Sequence, residues 1–170
     1  MRRVDASQLR DARIPAVGSL TRSATLTGYE SLATSLGMDS PHMLQMVSLP
    51  TEALCDPDIL ISLDSVARLL HESALRSRQE AFGLLLAETR GLNNLGILGL
   101  VIREEPTLRA ATQALITYLR VQNGGLSLRL EDDGELEALH LELKLQRQEV
   151  ARQGIEMSVA VTLRPLSTLS

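Results

Sequence analysis

The chain has 170 residues, which is the usual size of one domain and enough to bury a single substantial core. Hydrophobic residues make up 44 % of it and charged residues 22 %, and this composition excludes a disordered, fibrous or disulfide-built protein. Its net charge of −4 offers no positive field to a phosphate backbone, so these residues are not expected to contact nucleic acid directly.

Export and membrane insertion are not expected from the sequence. The longest apolar run covers only residues 95–102, whereas a bilayer-spanning helix needs about 20 residues, and no signal-peptide core follows the first methionine. Cys55 is the only cysteine and cannot form an intramolecular disulfide, which favours a reducing compartment. The predicted location is cytoplasmic, with no membrane partner.

The first elements in chain order are short. Residues 1–24 show no sustained hydrophobic period, which predicts a flexible N-terminal arm, and residues 25–170 are predicted to form one domain. Thr27 and Glu30 fit a capping box at the start of a helix that Gly37 would end.

Two further helices are predicted from their caps. Ser40 resembles an N-cap followed by proline at N1, giving a short helix to Val47. Ser62 is the predicted cap of a longer helix, Leu63 to Arg78. The apolar positions of this second helix share one face: Leu63, Val66, Ala67, Leu70 and Ala74.

The middle of the chain is rich in apolar residues. A helix is predicted from Glu80 to Thr89, in which Gly83 would permit another backbone to approach closely. Leu95 to Arg103 is either a buried helix or a buried strand, and we favour the helix because Leu and Gly outnumber β-branched residues. Thr107 then caps a helix whose predicted inner stripe is Leu108, Ala111, Leu115, Tyr118 and Leu119.

After residue 125 the hydrophobic period changes from helical to two. Leucine alternates with polar residues over 126–131 and again over 139–145, with an Asp-Asp-Gly turn between, which predicts a β-hairpin with one leucine face. A lone hairpin is marginally stable, so it should join a larger sheet or pair with another copy. A last helix over 148–163 would end at Pro165. The predicted fold is α+β, mostly helical, with a C-terminal antiparallel β-hairpin or small sheet packed on the helices.

No group of residues predicts catalysis. The three histidines and Cys55 have no metal-ligand spacing, so neither a metal nor a cofactor is expected. The pair Glu104-Glu105 fits a helix start and Asp132-Asp133 fits a turn. The glycines between 91 and 99 lack the Lys-Ser/Thr ending of a phosphate loop. The chain is therefore not expected to be an enzyme.

A family pattern extends over residues 61–118, in the order ISLDSVARLLHESA, EAFGLLLAE and LGILGLVIREEPTLRAATQALITYL. With the hairpin LSLRLEDDGELEALHLEL, this pattern resembles the N-terminal effector domain, the arabinose-binding-like domain, of AraC-type transcription regulators. The resemblance implies a domain that senses a small molecule, helps the regulator to form a homodimer and signals to a helix-turn-helix half. Nothing after Leu145 has the length or basic helices of that half. DNA would therefore be bound only through a part absent from this chain. The chain itself would be either an excised effector domain or a naturally truncated one.

A pocket for the small-molecule effector is predicted between the helices and the leucine face of the hairpin. Polar-tipped or aromatic side chains beside apolar faces are its candidate ligand-binding residues: His71, Phe82, Asn94, Tyr118 and Gln122. The alternative for each is an ordinary place at the edge of the core. The alternative for the whole chain is a structural dimerisation module that binds no ligand.

Overall fold

A computed structural model describes residues 19–90, 102–132, 134 and 137–167. The strands are β1 (Leu20–Arg22), β2 (Leu60–Ser62), β3 (Leu126–Asp132) and β4 (Glu137–Leu143). The helices are α1 (Tyr29–Ser35), α2 (Ser40–Met46), α3 (Leu63–Ser77), α4 (Phe82–Glu88), α5 (Leu108–Gln122) and α6 (Ala151–Ser167). The predicted α+β fold, mostly helical with a C-terminal hairpin, is confirmed. Residues 102–104 are helical, and the rest of the helix predicted from Leu95 lies outside the described residues.

Two predicted helix caps are present. The Ser62 side chain accepts a hydrogen bond from the Ser65 backbone N–H at 3.2 Å. The Thr107 side chain accepts one from the Ala110 backbone N–H at 3.1 Å. Each bond satisfies one of the backbone donors that a helix start leaves without an intrahelical partner. Short polar side chains therefore fix where α3 and α5 begin.

The starts of α1 and α2 differ from the prediction by one residue. Gly28, at φ 83°, is the N-cap of α1, while the Thr27 hydroxyl donates to the Ala24 carbonyl at 2.8 Å. The predicted capping box is therefore wrong, because its threonine is used in the preceding turn. Asp39 caps α2 by accepting from the His42 N–H at 3.2 Å. A carboxylate one residue earlier replaces the predicted serine cap.

Part of the predicted N-terminal arm belongs to the folded structure. Residues 20–22 form β1, which pairs antiparallel with β2, so that Thr21 lies opposite Ile61. The Leu63 N–H also donates to the Ser19 carbonyl at 2.9 Å. Three residues are too few to show the alternation that identifies a strand in sequence. Residues 1–18 lie outside the described residues, and the division into an arm and one domain remains a prediction.

The hairpin has the predicted leucine face. In its register Leu126 lies opposite Leu143, Leu128 opposite Leu141 and Leu130 opposite Leu139. The leucines pack against Leu63 of α3 and Ile116 of α5, and this burial is what keeps the two strands in place. Within the described residues, β3 and β4 form a two-stranded sheet. An isolated bridge between Thr21 and Asn123 connects β1 to the turn between α5 and β3.

The largest apolar cluster lies among α1, α2, α3, α4 and α6, with α6 packed across α3 and α4. The side chains of Leu69, Leu70 and Leu86 at its centre have no exposed surface. A fully buried leucine contributes about 1.5–3 kcal/mol, so this cluster is the main source of stability. It also fixes α4 against α6, which matters for the site described below.

Two predictions about helix ends and faces are wrong. Leu108, placed in the inner stripe of α5, is 52 % exposed, because as the first residue of the helix it projects beyond the core. Ile116, outside the predicted stripe, is buried instead. Pro165 does not end α6, which continues to Ser167. Proline removes one backbone donor, and within the last turn of a helix that loss is small compared with the packing of the preceding turns.

Candidate functional site

The structure describes three of the five predicted ligand-binding side chains, and it places them in different surroundings. Phe82 begins α4 and is fully buried in the largest cluster, with its ring edge-on to Tyr29 at 6.0 Å between centroids. Tyr118 is half-buried beside a separate cluster that contains Leu115. His71 is half-buried on α3. Their grouping into one pocket remains a prediction.

The other two predicted residues cannot be placed. Asn94 lies outside the described residues. Gln122 is the last residue of α5, and its side chain also lies outside them.

A buried polar pair lies within the largest cluster. The Ser73 hydroxyl donates to the Leu69 carbonyl at 2.7 Å. Because that uses its only hydrogen, the Tyr29 hydroxyl must be the donor in the 2.8 Å bond between Tyr29 and Ser73. Burial raises the pKa of Tyr29, so its hydroxyl stays neutral at physiological pH. Both groups have partners, and the pair is a structural element rather than a reactive one.

A glutamine joins α4 to α6. Gln153 is 4 % exposed, and its side-chain amide donates to the Glu80 carbonyl at 2.8 Å while its oxygen accepts from the Gly83 N–H at 2.8 Å. A Cβ atom added to Gly83 would stand 2.1 Å from the Gln153 carbonyl oxygen. The predicted role of Gly83, to let a second backbone approach, is confirmed. The amide bonds fix the start of α4 on α6.

An arginine lies at the opposite end of α4. The Arg90 backbone N–H donates to the Ala87 carbonyl at 3.0 Å, and its side chain turns back to donate from Nη2 to the Thr25 carbonyl in the turn before α1. Its Nε atom is inaccessible to solvent and has no acceptor among the described residues. Burial lowers the pKa of the Arg90 guanidinium to about 10, which leaves it charged at neutral pH.

Exposed ion pairs lie on the hairpin and at the start of α5. On the polar face of the hairpin, His140 Nε2 lies 3.0 Å from a carboxylate oxygen of Glu131. Arg109 at the start of α5 pairs with Asp132 at the end of β3. The Gly134 backbone N–H and then Arg109 lower the pKa of Asp132. These groups are exposed, and such pairs contribute little to stability.

Across residues 19–90, 102–132, 134 and 137–167, no three His, Cys, Asp or Glu side chains are grouped so that they could hold a metal ion. In the same part of the chain, no helix combines the length and the apolar character needed to cross a bilayer.

Sequence reasoning missed Arg90 and Gln153. Arg90 follows Thr89 and precedes a glycine, which is the usual pattern of a basic residue at a helix end. Its contact with Thr25 joins residues 65 positions apart, and no local pattern reports such a pairing. Gln153 likewise stands 70 positions from Gly83. The one available signal was Gly83, whose missing side chain indicated a close neighbour without identifying it.

Comparison with known proteins identifies the family. The family described as the arabinose-binding domain of AraC transcription regulators, N-terminal, matches residues 37–170. The chain therefore belongs to this family of regulator domains. Among individual proteins, it is similar to the HTH-type transcriptional regulator VirS of Mycobacterium tuberculosis, from strains CDC 1551 / Oshkosh and ATCC 25618 / H37Rv. The identity to each is 29 % over 155 residues, which cover 90 % of this chain and 46 % of the relative. The chain thus spans about half the length of the curated relatives that it matches.

Proposed function

We propose that this chain is the effector-sensing and dimerising domain of an AraC-type transcription regulator. It binds a small molecule and controls DNA binding by a helix-turn-helix part of the regulator that these residues do not supply. The observation that carries the proposal is the family match over residues 37–170, which includes α2 to α6 and the hairpin. The net charge of −4 also suits a domain that senses rather than one that contacts DNA.

A regulatory role fits the absence of a catalytic grouping in the sequence. No histidine or cysteine occurs in a nucleophile or metal motif. Two of the buried polar pairs, Tyr29 with Ser73 and Gln153 with Gly83, hold helices together. They support a rigid frame for binding rather than a reaction.

Ligand binding is tested by thermal unfolding of the chain with arabinose, other sugars, amino acids, fatty acids and cyclic nucleotides. A ligand present at 100 times its dissociation constant adds about 2.7 kcal/mol to the free energy of unfolding, which corresponds to a rise in Tm of about 5–10 °C for a domain of this size. Mass spectrometry of the freshly purified chain detects a molecule that stays bound. If neither method detects any ligand, the structural alternative replaces the sensing function.

Dimerisation is supported by one face of α6. Ile155, Val159 and Leu163 follow one another at intervals of four residues and are 37 %, 38 % and 48 % exposed, so they form an apolar stripe on the outside of the helix. The stripe is symmetric about Val159. In a twofold dimer with antiparallel α6 helices, Val159 would meet its own copy, and Ile155 would meet Leu163 of the second copy. This stripe also supports the alternative function, dimerisation without a ligand.

Substituting Val159→Glu is expected to weaken the dimer at least tenfold, because two carboxylates would be buried against each other at its centre. Sedimentation velocity over a range of concentrations measures the change. Leu75→Glu is the matched control, since Leu75 is 62 % exposed on α3, away from the stripe. A wild-type chain that stays monomeric, or an equal effect of both substitutions, would contradict the proposed interface.

A further inference from the structure

Arg90 is the charged group that follows the last turn of α4. The residue as a whole is half-buried, yet its Nε atom has no solvent contact and no hydrogen-bond acceptor among the described residues. Nη2 donates to the Thr25 carbonyl. A guanidinium has five N–H donors, and each buried donor without a partner costs free energy. Arg90 therefore offers more donors than its surroundings satisfy.

The charge of Arg90 is not balanced within the described part of the chain. The ion pairs found there join Arg22 to Asp58, Arg109 to Asp132, Arg129 to Glu131, His140 to Glu131 and Arg152 to Glu156. None of them includes Arg90. Burial lowers the pKa of Arg90, as expected for a cation that is desolvated without a paired carboxylate among the described residues. A buried cation is usually paired, because desolvating it alone costs several kcal/mol.

Two acids lie in the segment that pairs with the turn before α1, and both have partners. Asp58 pairs with Arg22, and an Asp56 oxygen accepts from the Asp58 N–H at 2.9 Å. Both carboxylates are exposed, beside the turn whose Thr25 carbonyl meets Arg90. Within the described residues, these acids lie close to the turn, and neither forms an ion pair with Arg90. An external anion would supply the partner that the described residues do not provide.

We propose that Arg90 anchors an anion site that binds the carboxylate of a small organic acid. The effector would then be an acid rather than a neutral sugar. The inference rests on the proposed function, because it names the class of effector that the domain would sense. Arginine suits this task, since its planar fork can donate two parallel hydrogen bonds to the two oxygens of a carboxylate.

A monocarboxylate fits better than a phosphate. One guanidinium balances one negative charge, and Thr25 presents a carbonyl oxygen, which would repel the further oxygens of a phosphate. The only lysine of the chain is Lys144, which is exposed just beyond β4. The last turn of α4 before Arg90 contains two fully buried apolar residues, Leu86 and Ala87. An organic acid with one carboxylate and an apolar remainder matches this combination: the carboxylate would pair with Arg90, and the remainder would lie against apolar residues.

The competing role for Arg90 is purely structural. In that case the guanidinium serves only to join the end of α4 to the turn at Thr25. The two roles predict opposite results for Arg90→Met. Loss of a structural contact lowers the Tm of the ligand-free chain, whereas removal of an unbalanced buried charge by an apolar side chain of similar length raises it or leaves it unchanged.

The experiment uses isothermal titration and thermal unfolding of the whole chain with sodium acetate, benzoate and decanoate. Sodium chloride and sodium phosphate at equal ionic strength, and arabinose, are the comparison solutes. We expect at least one carboxylate to bind and to raise the Tm. Arg90→Met should weaken that binding about 30-fold or more, the effect of removing one partner of a buried charge pair. Arg90→Lys, which keeps the charge but not the fork, should retain part of the affinity.

Arg68→Met is the matched control, because Arg68 is a half-buried arginine on α3. It should leave carboxylate affinity unchanged. Stabilisation by phosphate or chloride alone would overturn the carboxylate assignment, and so would carboxylate binding that survives in both Arg90 variants. If arabinose or another neutral molecule binds equally well to wild type and Arg90→Met, sensing stands and the acid site fails. If no tested solute and no co-purified molecule binds, both fail.

Discussion

Gly83→Ala is expected to lower the free energy of unfolding by about 3 kcal/mol, the upper part of the range for overpacked cores. The added methyl would lie 2.1 Å from the Gln153 carbonyl oxygen, and a backbone carbonyl within a helix cannot turn aside as a side chain can. The helices α4 and α6 would have to separate. Alanine is better than glycine within a helix by up to about 1 kcal/mol, which offsets only part of that cost.

Separation of the two helices also breaks the hydrogen bonds of Gln153. Its side chain holds both the Gly83 N–H and the Glu80 carbonyl at 2.8 Å. Urea denaturation followed by circular dichroism measures the loss as a lower midpoint. Gly154→Ala is the control in the neighbouring position, where the new methyl meets only the end of the Leu143 side chain at 3.1 Å. That change should alter stability by less than about 1 kcal/mol, and equal effects would disprove the close-packing explanation.

Phe82→Ala is expected to cost about 3–5 kcal/mol, which is typical of a phenylalanine removed from a packed core. The ring is fully buried and edge-on to Tyr29, so the substitution leaves a cavity and removes an aromatic contact. If Phe82 instead lined a ligand pocket, as the sequence suggested, the ligand-free chain would lose little stability. Denaturation without added ligand therefore separates the two roles.

Tyr118→Ala provides the aromatic control for this measurement. Tyr118 is half-buried on α5, beside a smaller cluster, so its removal should cost clearly less than that of Phe82. A cost for Phe82→Ala below that for Tyr118→Ala would show that the ring at 82 is not the core residue that its burial indicates. If an effector restored the stability of Phe82→Ala, that result would also argue against a purely structural role for the ring of Phe82.

The hairpin was predictable because its information is local. Alternating leucines and an Asp-Asp-Gly turn define strands, turn and buried face within 20 residues of sequence, and the observed pairing of Leu128 with Leu141 follows from them. The caps at Ser62 and Thr107 are equally local. The short strand β1 was missed because its partner β2 lies about 40 positions away, and a three-residue ladder has no period of its own.

The candidate site was less predictable than the fold because it depends on contacts between residues that are far apart in sequence. Phe82 and Tyr118 have similar apolar neighbours in sequence, but folding places them in different clusters. The unbalanced charge of Arg90 depends on which distant groups approach it and which do not. Thr25 approaches it, and no carboxylate of the described ranges pairs with it. A sequence shows the arginine but not the missing acid.

Helix α4 has only seven residues, from Phe82 to Glu88, which makes it about 10 Å long. Its first turn is fixed to α6 by Gln153, and Arg90 follows its last turn. So short a helix moves as one rigid rod, with little length over which to bend. Arg90 joins one end of this rod to the turn at Thr25, and the other end contacts α6, the helix that carries Ile155, Val159 and Leu163 on its outer side. The proposed effector and the proposed dimer contact are therefore separated by two helical turns of α4 and the width of α6.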